Sequence, residues 1–374
     1  MNDSFLKEIG RSYIVSAFLP AAIFTLLGFF LFRGFVPNDL SGQILSSKSF
    51  INNEWIVLTL LMFWVAFYLY SANDITVKIF EGYLFPKWLG DYLVRRQERN
   101  WEESNLGNYH KWKKDNARLM KKIEGGKNVL EKEMEQDVKN LLRAHEELAD
   151  LGLRSPLDKD FLMPTRLGNV LRASEMYAYE RYAIEEITIW PRLVPVLPPE
   201  LIGHIDEKNN HFMFLINSSF LVCCNGMLSF FFGIIGLPLI FFPNLIEPLT
   251  IRLQGFFFIG YDFINPIGYL FISTLLIGFG YVLYLIAVNV AEEFGMYIRA
   301  SFDLYRVKLL RQLNWTPPKT IVEEQELWRN ISRFIVAAER LGEVELPEFS
   351  YEGIPVSTHD IRTTNLRKSR RRKK

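Results

Sequence analysis

Charged residues are missing from four long stretches of this 374-residue chain. Each stretch has about the 20 residues, or more, that an α-helix needs to cross about 30 Å of hydrocarbon. A helix also satisfies its own backbone hydrogen bonds, which lipid cannot do. The sequence therefore predicts an all-α polytopic membrane protein with four transmembrane helices, which come from Ser12–Phe32, Trp55–Asn73, Phe212–Ile246 and Phe263–Ala291.

Ionisable side chains inside these spans would be expected for a proton-coupled transporter or a voltage sensor, and their absence argues against both. The sequence also lacks a glycine-rich phosphate loop, a His-Glu-x-x-His motif and any Cys or His pair at metal-binding spacing. Its two cysteines, Cys223 and Cys224, are adjacent within the third span, and its five histidines are scattered. We therefore expect no catalytic residue, metal, cofactor or nucleic-acid partner.

The basic residues are distributed asymmetrically about the spans. The segments that follow the first and third spans hold only Arg33, Lys48 and Arg252, whereas the other 40 of the 43 Lys and Arg lie on the opposite side. The positive-inside rule then places both termini and the large central segment in the cytoplasm. The first span is expected to stay uncleaved, because Arg33 follows it in place of a small-residue cleavage site.

The central segment predicts a helical cytoplasmic domain. Gly125-Gly126 separates two amphipathic stretches, Tyr109–Glu124 and Lys127–Leu151, which predicts an antiparallel helical hairpin. Thr165 is the predicted N-cap of the next helix.

The sequence divides into five predicted parts. The membrane parts are an N-terminal transmembrane pair at 1–75, with spans at about 12–32 and 55–73, and a C-terminal transmembrane pair with an external loop at 212–292, with spans at about 212–236 and 267–291. The other parts are the cytoplasmic domain at 76–211, amphipathic cytoplasmic helices at 293–341, and a polar tail at 342–374 that ends in a basic run.

Two more helices are predicted after the last span. An apolar stripe at helical spacing continues from this span, which predicts one unbroken helix whose stripe lies either on lipid or against the cytoplasmic domain. Glu323–Arg340 should form the second helix. The stripe consists of Phe294, Ile298, Phe302, Tyr305, Leu309 and Leu313.

Small and weakly polar residues within the spans have two interpretations. Such residues let helices approach closely and form hydrogen bonds between them, so they suit a four-helix bundle or an oligomer. Alternatively they line a pore between subunits. The candidate pore or packing residues are Asn217, Ser218, Asn225, Ser229 and Asn289.

A charged and aromatic stretch near the membrane supplies the cytoplasmic candidates. These side chains form either charge pairs that fix soluble helices to the ends of the spans, or a headgroup or nucleotide-phosphate site. They are Arg166, Asn169, Arg172, Glu175, Arg181, Trp190 and Arg192.

The same stretch carries a family resemblance. A Thr-Arg-Leu-Gly-Asn helix start at Thr165, a Trp-Pro-Arg-Leu turn at Trp190 and Phe-Asp-Leu-Tyr-Arg at Phe302 resemble a pattern in a family of uncharacterised bacterial multi-pass integral membrane proteins. The resemblance implies a protein of the bacterial envelope, and we expect the inner (cytoplasmic) membrane. It implies no activity.

Three functions are compatible with these features. The first is a non-enzymatic oligomeric membrane scaffold or signal-coupling protein, whose cytoplasmic helices bind a protein partner. The second is an oligomeric ion channel or pore-forming effector that is gated from the cytoplasm. The third is a membrane-embedded lipid-modifying enzyme, which the lack of a clustered nucleophile or metal set disfavours. The expected partners are the lipid bilayer, further copies of the chain and a cytoplasmic protein.

Overall fold

The computed structural model describes residues 12–32, 51–102, 151–156, 158–241 and 265–340, with the isolated positions 117, 139 and 142. All regular elements in these ranges are helical, and the described residues form no strand. The all-α prediction is therefore confirmed for this part of the chain. Nearly all of the predicted hairpin, the segments after the first and third spans and the basic tail lie outside the described residues.

The described ranges contain nine α-helices, and residues 151–154 form a further helical turn. A π-helical turn at Ile14–Phe18 leads into the first helix, and short 3₁₀ turns lie at Lys159–Phe161 and Val194–Val196. The α-helices are α1 (Leu19–Phe32), α2 (Ile51–Ser71), α3 (Asn73–Glu81), α4 (Lys87–Trp101), α5 (Arg166–Tyr182), α6 (Glu186–Leu193), α7 (Pro199–Phe241), α8 (Pro266–Gln312) and α9 (Ile321–Arg340).

Among the described residues, three helices are long and apolar enough to cross a membrane. They are Ile14–Phe32, Pro199–Pro238 within α7, and α8. A fourth crossing exists if α2 and α3 are counted as one span, although Ile56–Ser71 and Asn73–Glu81 are bent by 64° relative to each other. The structure thus has three to four helices whose length and composition are compatible with membrane insertion.

Helices α7 and α8 are much longer than a membrane span requires. The first has 43 residues and the second has 47. Helix α7 runs through Pro238 to Phe241, beyond the expected end of the span near residue 236. A proline in the last turn is tolerated because it removes only one backbone hydrogen bond near a helix end. The predicted continuation beyond the last span is confirmed, since α8 has no break before Gln312.

The chain divides into two compact units. The first combines Met1–Ser174 with Glu200–Ile298, and the second combines Glu175–Pro199 with Arg299–Lys374. In the first unit an apolar cluster joins α5, α7 and α8 through buried side chains such as Leu167, Ile216 and Ala287. A second cluster joins the first three apolar helices through Ala17, Ala21, Ala66, Leu69 and Leu221. The alanines in this cluster are fully buried, so these helices approach closely.

Glycines mark the contact between α7 and α8. A side chain on Gly226 would meet Ile277, one on Gly233 would meet Leu270, and one on Gly280 would meet Cys223. As residue numbers rise along α7, the numbers of their partners fall along α8 by the same steps. The two helices therefore pack antiparallel in one continuous register.

The second unit is built around α6, α9 and the final turns of α8. Trp328 and Ile331 of α9 are fully buried, as is Leu310 of α8. The rings of Trp190 and Phe302 lie 6.0 Å apart between their centroids. This unit therefore has an aromatic and aliphatic core of its own.

Candidate functional site

A cleft of about 570 Å³ lies in the first unit, beside the C-terminal end of the apolar stretch of α8. Four chain segments form its walls: the end of α4, residues 151–155, the start of α5 with Leu162 just before it, and one stripe of α8. Apolar side chains, among them Trp101, Leu285 and Val288, form part of this surface. The polar residues that line the cleft are Gln97, Asn100, Arg154, Ser155, Arg166, Asn169, Asn289 and Glu292.

The start of α5 fixes the position of Arg166. The Oγ1 atom of Thr165 accepts a hydrogen bond from the backbone N–H of Gly168 at 2.9 Å, which confirms the predicted N-cap. The hydroxyl of Tyr284 accepts another from the N–H of Leu167 at 3.2 Å. Arg166, the first residue of α5, lines the cleft together with Asn169 and Val170 of the same helix.

Asn169 lines the cleft and also has a structural role. Its side chain accepts a hydrogen bond from the backbone N–H of Met163 at 2.7 Å and donates one to the carbonyl oxygen of the same residue at 3.2 Å. Asn169 is only 3% exposed. It therefore fixes the turn before α5.

The stripe of α8 in the cleft contains two polar residues, Asn289 and Glu292. Glu292 forms an ion pair with Arg154 at 3.3 Å. The adjacent Glu293 pairs instead with Lys208 at 2.5 Å. These neighbouring carboxylates therefore have different cationic partners and do not form an acid–base pair.

The end of α4 is tied to the segment at residues 151–156. The indole N–H of Trp101 donates a hydrogen bond to the carbonyl oxygen of Pro156 at 3.1 Å. This contact joins two walls of the cleft that are more than 50 residues apart in the chain. Trp101 itself lines the cleft.

Two of the candidate pore residues form hydrogen bonds to the first apolar helix. The amide group of Asn217 donates to the carbonyl oxygen of Ser16 at 2.7 Å and to the side chain of Asn73 at 3.0 Å. That of Asn225 donates to the carbonyl oxygen of Phe24 at 3.2 Å. Both contacts to the first helix have the same sequence separation of 201 residues, so this helix and α7 run parallel here.

The acceptor atoms of this face are buried without a hydrogen bond. The Oδ1 atoms of Asn217 and Asn225 and the hydroxyls of Ser218 and Ser229 find no partner among the described residues. A side chain on Gly28 would come within 3.2 Å of the Asn225 Oδ1 atom. Asn289 does not belong to this group, since it is exposed and lines the cleft.

The second unit contains a cluster of charged and aromatic groups around Asp303. Its carboxylate accepts hydrogen bonds from the hydroxyl of Tyr182 at 2.6 Å and from that of Tyr177 at 2.9 Å. Burial, assisted by the Asp303 contact, raises the pKa of Tyr182 to about 12. The guanidinium of Arg306 stacks on the Tyr182 ring at 3.9 Å and pairs with Glu324 at 2.9 Å. This network is internally paired, which suits a structural role.

The remaining cytoplasmic candidates are distributed over both units. In the first unit, Arg172 lies 6.0 Å from the centre of the Phe161 ring. In the second, Arg181 donates to the Tyr177 hydroxyl at 3.3 Å and Arg192 to the carbonyl oxygen of Thr188 at 2.5 Å. Trp190 packs on Phe302, and the Glu175 carboxylate acts electrostatically on Glu186.

Sequence reasoning missed most of the cleft. No sequence motif includes the lining residues from α4 and from the segment before α5. They become candidates because they line the same cleft as Arg166; they are Gln97, Asn100, Trp101 and Arg154. A partial signal was available in Glu292-Glu293, a carboxylate pair at the end of an apolar run.

The fold and the site together define an all-helical protein whose apolar helices are compatible with membrane insertion, with a mixed polar and apolar cleft beside them. Comparison with protein-family models, with curated proteins and with solved structures finds no match to this chain.

Proposed function

We propose that the chain is a non-enzymatic, oligomeric membrane scaffold or signal-coupling protein whose cytoplasmic helices bind a protein partner. In this proposal the chain crosses a bacterial inner membrane four times, with the bent pair α2–α3 as the second crossing. Both termini and the central segment are cytoplasmic, as the distribution of basic residues favours.

The continuity of α7 and α8 is the observation that supports this proposal. Each helix contains an apolar stretch and continues without a break into a polar stretch, over 43 and 47 residues in total. A membrane crossing needs only about 20 residues, so about half of each helix is free for another purpose. Rigid secondary-structure elements are among the structures that carry coupling between distant sites, and an unbroken helix is such an element. In this proposal, the unbroken helices α7 and α8 couple conformational changes in the membrane to the cytoplasmic part of the chain.

Interrupting α8 just beyond its apolar stretch tests the coupling. Met296 is 45% exposed, so its replacement disturbs little besides the helix itself. We expect Met296→Pro to abolish co-purification of a stoichiometric protein partner and Met296→Ala to retain it, because proline costs about 3 kcal/mol or more within a helix. Size-exclusion chromatography of both variants checks folding and the oligomeric state. A partner retained equally by both variants, or a monomeric wild-type protein, would contradict the proposal.

An oligomeric channel gated from the cytoplasm is the second candidate, and the buried Oδ1 atoms of Asn217 and Asn225 favour it. Carbonyl-type oxygens without a hydrogen bond can replace water around a permeating cation. The test is ion flux through the purified protein in liposomes, with protein-free liposomes as the control. A channel lined by these atoms should lose or change its flux on Asn225→Leu. Flux that this substitution does not alter would remove the asparagines from the pathway.

A further inference from the structure

The cleft of the first unit has one cationic side chain that is not paired by a carboxylate. Arg154 forms an ion pair with Glu292, whereas Arg166 forms no ion pair with any residue in the described ranges. Gln97 and Asn289 supply two amide groups from other walls of the same cleft. The charged groups of the cleft, Arg154, Arg166 and Glu292, sum to one positive charge. An anionic ligand therefore suits the cleft electrostatically.

The other walls of the cleft are apolar. Trp101 lies on one side, and Leu285 and Val288 of α8 lie on another. The volume of about 570 Å³ falls within the range of about 300–1000 Å³ that is usual for small-molecule sites. A fully polar anion would contact only the polar side chains of the cleft. An anion that carries an apolar or glycerol portion would contact both kinds of surface.

We propose that this cleft binds a phosphate group, with Arg166 as its main ligand and the amides of Asn289 and Gln97 as further donors. A guanidinium presents two parallel N–H groups that match two oxygens of a phosphate. Donors from three separate walls suit the several acceptor oxygens of phosphate better than the two of a carboxylate. The phosphate belongs either to a phospholipid headgroup or to a soluble ion or ester. This site does not depend on the scaffold role, because binding needs neither a partner nor an oligomer.

The test measures binding to the full-length protein in maltoside micelles, which contain no phosphate. Three probes are titrated separately: dioctanoyl phosphatidylglycerol, inorganic phosphate, and dioctanoylglycerol as the control without phosphate. We expect Arg166→Gln to weaken binding of the phosphate-bearing probe at least about 10-fold, because a charge-assisted contact is lost. Asn289→Leu, which removes one neutral donor, should weaken it about 2- to 10-fold.

Arg96→Gln is the matched control. Arg96 is exposed on α4, one residue before Gln97, and does not line the cleft. Saturable binding of the phospholipid alone, lost in Arg166→Gln and kept in Arg96→Gln, supports the site and assigns it to a headgroup. The same pattern with inorganic phosphate supports the site with a soluble ligand. Equal losses in both arginine variants, equal binding of dioctanoylglycerol, or no saturable binding of either phosphate probe would overturn the proposal. Thermal unfolding of each variant verifies that it is folded.

Discussion

At the scale of single residues, Glu186 is a carboxylate in surroundings that oppose its charge. Its Oε2 atom is buried and accepts no hydrogen bond within the described part of the chain. Burial, reinforced by the nearby Glu175 carboxylate and opposed by Arg299, raises the pKa of Glu186 from 4.5 to about 8. The folded protein therefore keeps this proton at pH values where an unfolded chain has lost it.

Glu186 should make the folded protein less stable as the pH rises from about 4.5 to about 8. In this interval the folded state binds more protons than the unfolded state, so the free energy of unfolding falls with pH and then levels off above about 8. Glu186→Gln should remove this slope and stabilise the protein at pH 8 by on the order of 1–3 kcal/mol. Thermal unfolding at pH 5, 6.5 and 8 measures the effect.

The exposed Glu326 provides the control for this experiment. Glu326→Gln should leave the pH dependence of the unfolding temperature unchanged. The account of Glu186 would be wrong if the two variants gave the same slope as the wild-type protein.

Tyr182 should be important for stability through its hydrogen bond to Asp303. The side chain is only 6% exposed, and its hydroxyl donates to the carboxylate at 2.6 Å. Tyr182→Phe should lower the free energy of unfolding by about 1.5–3 kcal/mol, because a carboxylate loses a short donor. Tyr179 is 55% exposed, so Tyr179→Phe is a control that should change stability by less than about 0.5 kcal/mol. Chemical denaturation compares the two variants, and equal effects would count against the Asp303 network.

At the scale of secondary-structure elements, the contact between α7 and α8 depends on glycine. A Cβ atom on Gly233 would lie 2.6 Å from a methyl carbon of Leu270, and one on Gly226 would lie 2.9 Å from Ile277. Gly278 lies on the same pair of helices, but a Cβ atom there would meet nothing within 4 Å. Replacing glycine by alanine can therefore be compared at a tightly packed position and at an open position of the same helix pair.

Gly233→Ala should destabilise the helix pair by about 1–3 kcal/mol, because the added carbon would overlap the Leu270 side chain and lie only 3.2 Å from the Leu270 backbone nitrogen. Gly278→Ala should be neutral or stabilising by up to about 1 kcal/mol, because alanine is the better helix former. The unfolding temperature in detergent measures both. A loss of stability in Gly278→Ala that matches the loss in Gly233→Ala would show that the register of α7 and α8 is different.

The course of most helices could be predicted from the sequence, but the bend between α2 and α3 could not. Ser71-Ala72-Asn73 contains neither proline nor glycine, so no local signal predicts a 64° bend. The bend brings the Asn73 side chain to Asn217, which donates to it from α7. That contact joins residues 144 positions apart, and sequence periodicity contains no information about it.

At the scale of the whole molecule, the apolar helices were predictable because hydrophobicity is a local property of the chain. The cleft was not, since its walls come from four segments between Gln97 and Glu292. Arg166 was a candidate from its charge and its place near the membrane. Its partners Gln97 and Trp101 became candidates only when the fold had brought them together.

The proposed orientation predicts which residues are reached from outside the cell. In a variant in which Cys223 and Cys224 are replaced by alanine, single cysteines are introduced by Lys48→Cys and Lys87→Cys. A membrane-impermeant maleimide should label the first in intact cells and the second only after permeabilisation, because the two positions are on opposite sides of the membrane. The reverse pattern would invert the topology.

The two asparagine contacts between the first apolar helix and α7 also have a consequence for biosynthesis. Their shared separation of 201 residues means that each backbone partner in the first helix leaves the ribosome long before its asparagine. At about 5–20 residues per second, the delay is about 10–40 s. During this delay α7 has not yet been synthesised, so α2 is the apolar helix that can pack against the first helix. The insertion machinery, or another membrane chaperone, therefore has a window in which to hold this early pair until α7 is synthesised.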